Sequence, residues 1–116
     1  MRLRLPQRRE RLDLDGLSPF ERATARFNAS DAGRTVCGLT RTLGQPRVSI
    51  GASAGIAEEV RVTVAWELTW YQWGVDVGAE ERPVRAISSG FEIGELDAAA
   101  RQWNATTDDD GHVRIG

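Results

Sequence analysis

Every second residue from Val60 to Trp70 is apolar: Val60, Val62, Val64, Trp66, Leu68 and Trp70 share one phase, and Arg61, Thr63, Glu67 and Thr69 take the other. Side chains alternate faces along a strand, so this run reads as a half-buried antiparallel β-strand. After Trp70 the phase flips, and Tyr71, Trp73, Val75 and Val77 carry the apolar side. A straight strand from 60 to 77 would run roughly 60 Å at ~3.3 Å per residue. A domain of this size has a radius of gyration of only about 13 Å. The expectation is therefore one long strand that bends or bulges near residues 70–74.

The following segment supports the bend. If Val77 faces Val84 across the 78–83 connection, Trp73 falls opposite Ser88 and Tyr71 opposite Gly90, and the second strand changes phase at Ser89-Gly90-Phe91. Two phase breaks at one level of a hairpin predict a sheet corner with a bulge and a glycine. Upstream, Val48 and Ile50 alternate as a short strand, followed by a small-residue loop at 51–55. Downstream, Leu96, Ala99, Ala100 and Trp103 have helical spacing, and Asp110-Gly111 marks a turn before a last strand at 112–115.

Two helices precede the strands. Ser18-Pro19-Phe20-Glu21 has the form of a capping box with proline at the first helical position. The stripe Phe20, Ala23, Phe27 and the stripe Ala32, Val36, Leu39, Leu43 would lie on nearly opposite sides of one continuous helix. They belong to two helices, broken at Asn28-Ala29-Ser30-Asp31 and stopped by Gly44 and Pro46. The fold class expected is α+β: two N-terminal helices and one short C-terminal helix packed on a curved antiparallel sheet of about four strands. Residues 1–16 form an Arg/Leu-rich N-terminal arm and 17–116 a single domain. Curved sheets of this kind occur in cystatin-like and NTF2-like domains. No motif here singles out either family, so the likeness is architectural.

Composition removes whole mechanisms. All 15 basic residues are arginine, which excludes a Schiff-base lysine and the lysine of a phosphate-binding loop. One cysteine, Cys37, and one histidine, His112, exclude a multi-histidine or cysteine-rich metal site. The single cysteine suits a reducing compartment, the N-terminus lacks the apolar stretch of a signal peptide, and no apolar run is long enough for a membrane span. The expected setting is the bacterial cytoplasm, with no membrane partner.

Candidate chemistry is sparse. Gly51 and Gly55 lack the third glycine and the helix of a dinucleotide loop. Asp108-Asp109-Asp110-Gly111 matches only the middle of a calcium loop and reads as a solvated turn. Cys37 falls near an apolar helix stripe, which suits a small buried thiol better than a nucleophile paired with His112. No catalytic, cofactor-binding or metal-ligating residue is assigned, and no cofactor is expected.

The aromatics are the most unusual feature. Trp66 and Trp70 are expected on one buried face, with Trp103 completing a helix stripe. Trp70, Tyr71 and Trp73 form a candidate aromatic pocket or interface. Arginines at 2, 4, 8, 9 and 11 make the arm a candidate electrostatic recognition element. Charge is divided, net +5 over residues 1–47 and −7 over 48–116. The reading is a non-enzymatic interaction or assembly module with a protein partner or a second copy. Nucleic acid ranks behind these because the whole chain is net −2. The alternative is a small-molecule binding or catalytic curved-sheet domain with an aromatic-lined pocket.

Overall fold

A computed structural model describes residues 18–53, 55–79 and 81–115. The arm, with Arg2, Arg4, Arg8, Arg9 and Arg11, lies outside the described residues. Helix α1 spans Pro19–Asn28 and α2 spans Asp31–Leu43. Strands β1 (Arg47–Ala52), β2 (Glu59–Trp66), β3 (Thr69–Asp76), β4 (Val84–Gly90), β5 (Ala105–Thr107) and β6 (Val113–Ile115) form one antiparallel sheet in the order β4-β3-β2-β1-β5-β6. The α+β class holds, with two α-helices and six strands among the described residues.

The helix boundaries follow the local signals. The Ser18 hydroxyl accepts from the Glu21 amide (3.1 Å) and the Glu21 carboxylate accepts from the Ser18 amide (2.9 Å). Ser30 caps α2 through the Gly33 amide, and Gly44, at φ 91°, ends it. Glycine is suited to that left-handed backbone, because a Cβ there meets the neighbouring carbonyl.

The inner face of the sheet carries Val48, Ile50, Val60, Val62, Val64, Trp66, Trp73 and Val75, packed against Ala23, Phe27 and Val36 of the helices. Phe27 is fully buried and meets the Trp73 ring edge-on, with centroids 5.1 Å apart. Gly33 lies against the α1–α2 joint, where a Cβ would come within 2.5 Å of the Phe27 carbonyl oxygen. The outer face carries Ser49, Thr63 and Gln72, all buried, and beyond them Ala65 and Trp70.

The long bent strand expected from 60 to 77 is instead a hairpin. Trp66 pairs with Thr69 across a two-residue turn at Glu67-Leu68. Neither turn residue has a positive φ, so glycine or asparagine was not needed there and the usual turn signal is missing. Leu68 kept the apolar phase of the strand although it sits at the turn, 77% exposed. The turn also overturns the expected shared face. Trp66 packs on the inner face, whereas Trp70 packs on the outer one with Leu96 and Ala100.

The β3–β4 register is two residues away from expectation, with Val75 rather than Val77 opposite Val84. Asp76 starts the connection: its amide donates to the Pro83 carbonyl (2.8 Å) and its carboxylate accepts from the Gly78 amide (2.9 Å). A bulge does interrupt the ladder between Gln72 and Trp73, leaving Ile87 of β4 as the extra residue.

The expected C-terminal helix is two 3₁₀ turns, Ile93–Glu95 and Ala99–Arg101. Asp97 accepts from the Ala100 amide and starts the second turn, while Trp103 leaves it at φ 49°, so the helical spacing is never extended. Trp103 is half-buried with the Arg47 guanidinium 4.7 Å above its ring. Strand β5, which the sequence reading lacked, joins β1 at Val48–Ala105 and pairs along its length with β6.

The close approach at Gly33 yields a paired test. Gly33→Ala should lower the melting temperature sharply, because backbone rather than a flexible side chain blocks the new methyl group. Gly38→Ala, on the same helix with open space around it, should raise stability by about 0.5–1 kcal/mol. Thermal melts of both variants check this.

Candidate interaction surface

A sheet has two edges, and here they are treated differently. At β6, Asn28 of α1 folds its amide onto the strand: Nδ2 donates to the Val113 carbonyl (2.9 Å) and Oδ1 accepts from the Val113 amide (2.9 Å). The side chain thus takes the place of a further strand. Asn104 does the same for Ile50 of β1, at 2.8 and 2.9 Å.

Strand β4 has no such cover among the described residues. Asp76 bonds to Pro83, and Val77 bonds back to Glu58 (3.1 Å). Even-numbered residues of β3 therefore face β4, and odd-numbered ones face β2. On β4, Arg85, Ser88 and Gly90 receive those bonds, as the partners of Gly74, Gln72 and Trp70. The backbone groups of Val84, Ala86 and Ser89 point away from the sheet. The strand from Arg85 to Ser89 is exposed throughout.

Its only charged side chain is tied down. Arg85 donates through Nε to Glu59 Oε2 (2.8 Å) and through Nη2 to Oε1 (3.0 Å). Glu59 is 6% exposed and lies over Gly74, where any Cβ would overlap its carboxylate. At one end of this edge Phe91 is 76% exposed, beside the β2–β3 turn that holds Leu68, and the Thr69 hydroxyl donates to the Gly90 carbonyl (3.2 Å). Leu68 and Phe91 are the most exposed of the large apolar side chains among the described residues.

The segment after β4 crosses the outer face and is pinned at several points. Trp70 Nε1 donates to the Glu92 carbonyl (2.9 Å) and to Glu95 Oε1 (3.1 Å), Arg61 holds Asp97 at 3.0 and 3.2 Å, and the Trp103 amide donates to Ser49 Oγ (2.7 Å). Hydrogen bonds from the Glu92 amide, the Trp70 indole and the Phe91 amide hold the Glu95 carboxyl below its usual range. Arg61, then the Ala100 amide, does the same for Asp97.

The expected aromatic trio is split. Tyr71 and Trp73 stack on the inner face, with centroids 5.7 Å apart and planes 16° from parallel, while Trp70 is buried on the outer face. Trp73 is buried and Tyr71 half-buried. A groove of about 550 Å³ opens beside Trp73, between the first turn of α2 and the start of β4, lined by Arg34, Arg82, Pro83 and Val84 among others.

Two other clusters fall short of a site. Asp108, Asp110 and His112 can bring ligand atoms within 4.8 Å of one another. Asp108 Oδ1 already accepts the Asp110 and His112 amides (2.9 Å each), and Arg114 Nε stands 3.7 Å from Oδ2. The His112 and Asp110 amides, with the nearby His112 and Arg114 side chains, hold the Asp108 carboxyl below its usual range. The group closes the β5–β6 turn. Gly111 of that turn rests on the backbone of Cys37, yet the half-buried thiol and the His112 ring share no hydrogen bond; the imidazole Nδ1 stands 3.4 Å from Asp108.

Because the Asp97 pKa is lowered on folding, its contribution is present above the unfolded value near 3.8 and is lost as pH falls through the lower folded value. Melts from neutral pH downward should show the wild type losing stability below about pH 4. Asp97→Asn should begin less stable and lose less over that window.

No known protein-family model, no curated protein and no solved structure matches the chain.

Proposed function

We propose that this protein is a non-enzymatic interaction or assembly module of the bacterial cytoplasm, which binds an extended segment of a protein along β4. The observation that carries this reading is the contrast between the edges: Asn28 takes up both backbone groups of Val113 on β6, whereas on β4 no described residue takes up the outward backbone groups of Val84, Ala86 and Ser89, and Phe91 and Leu68 are exposed. Adding a strand to such an edge supplies main-chain hydrogen bonds, and flanking apolar contacts supply selectivity. Nucleic acid is the weaker partner, because the described Arg85 and Arg61 are both engaged by carboxylates and the chain is net −2.

One observation favours a second reading, a small-molecule binder. The groove beside Trp73 is lined by Trp73, Val84 and Ala86 together with Arg34 and Arg82, although Arg34 is paired with Asp31.

Selection of binders from a random peptide library tests the first reading. Peptides with alternating apolar residues are expected, and Phe91→Asp and Ala86→Pro should each abolish their binding while leaving the fold intact. No binder above background, or turnover found in a broad substrate screen, would overturn it. A ligand that raises the melting temperature and perturbs Trp73 but not Phe91 would favour the groove.

A further inference from the structure

From the β4 edge, and resting on the reading just given, we infer that its occupant is a second copy of this chain, paired antiparallel about a two-fold axis at the Ile87–Ser88 bond. The bulge sets that axis. On β3, the residues opposite Ala86 and Ser89 are Trp73 and Tyr71, two positions apart, so the bulge compresses Ala86 to Ser89 into one ordinary two-residue repeat. The outward groups of Val84, Ala86 and Ser89 are therefore evenly spaced despite the extra residue.

A two-fold at 87–88 places Ala86 of each copy opposite Ser89 of the other, which gives four main-chain hydrogen bonds. It also places Val84 opposite Phe91. The Phe91 amide is held by Glu95 Oε1 (3.2 Å), so Phe91 contributes its carbonyl alone, one further bond to each Val84 amide. Both strands thus present donors to acceptors, with no unmatched amide at the ends.

The side chains agree with this register. From Val84 to Gly94 the chain has only two charges, Arg85 and Glu92. In this pairing Arg85, which keeps its two hydrogen bonds to Glu59, stands opposite Gly90 of the second copy and diagonal to its Glu92, a charge of opposite sign. No like charges meet. Ile87, 38% exposed, falls at the axis, and Phe91 covers Val84 across the junction. The product is a continuous sheet through two copies, with an isologous contact.

The Ala86 amide points outward, so Ala86→Pro costs no hydrogen bond within the chain, and proline is tolerated on an edge strand. Analytical ultracentrifugation should find twice the chain mass for the wild type. Ala86→Pro removes two symmetry-related hydrogen bonds and should weaken the dimer by roughly thirtyfold. Ile87→Asp, which brings two carboxylates together at the axis without touching the core, should dissociate it and stands in if the proline variant does not fold.

Hydrogen exchange should show the Ala86 and Ser89 amides protected in the wild type and the Ser89 amide unprotected in Ala86→Pro. A dimer that survives both substitutions overturns the inference. So does a monomer with these amides protected until residues 1–16 are deleted, which assigns the edge to the chain's own arm. A monomer that still binds the selected peptides along β4 overturns the second copy alone, and one that binds neither overturns the parent reading as well.

Discussion

The contact between Phe27 and Trp73 holds the two layers together. Phe27, in the last turn of α1, is fully buried, and its ring centroid lies 5.1 Å from that of Trp73 in the middle of β3. Gly33 of α2 rests on its carbonyl, so the same residue sets the joint between the helices. From Trp73 the aromatic contacts continue through Tyr71 to Trp66, whose indole donates to the Gly44 carbonyl (2.7 Å) at the end of α2. Aromatic rings bury large areas and constrain angle as well as distance. This chain of contacts fixes both ends of α2 on the sheet.

With the inner face filled by valine and aromatic side chains, the sheet's remaining properties lie on its outer face and its edges. The outer face buries polar groups and satisfies them: Gln72 donates to Thr63 (3.1 Å), Arg61 holds Asp97, and Arg85 holds the buried Glu59. Buried charges persist only when paired in this way. Such pairing draws the charged side chains onto the sheet face and leaves the β4 edge without a charge that would repel another strand. On the opposite edge β6 is only three residues long and Asn28 takes up both backbone groups of Val113. Among the described residues, the asymmetry leaves outward backbone groups along β4 without a partner.

Local signals were legible wherever the backbone needed a particular residue. The capping box at Ser18, the break at Asn28-Ala29-Ser30-Asp31, within which Ser30 proves to be the cap, and the stop at Gly44 each answer unsatisfied groups at helix ends, and only a few residue types do so. The aromatic density around residues 66–73 was legible too, but the faces were misassigned, with Trp66, Tyr71 and Trp73 on the inner side and Trp70 on the outer. The Glu67-Leu68 turn uses backbone angles open to any residue, so nothing in its composition distinguishes it from the strand it interrupts. One missed turn then moved Trp70 to the other face, because side chains alternate with a period of two.

The sequence by itself determined the class of the fold, the two capped helices and the exclusion of lysine-based and cysteine-rich chemistry, since each depends on residue type or on spacing within a few positions. Tertiary structure alone decided that Ala105–Thr107 is a strand, that Asn28 and Asn104 act as substitute strand partners, and that β4 is an edge left uncovered by the described residues. Those outcomes depend on strand order and on contacts between residues as far apart as 28 and 113. The period of a strand tells which face a side chain takes, and it contains no information about which strand lies beside it.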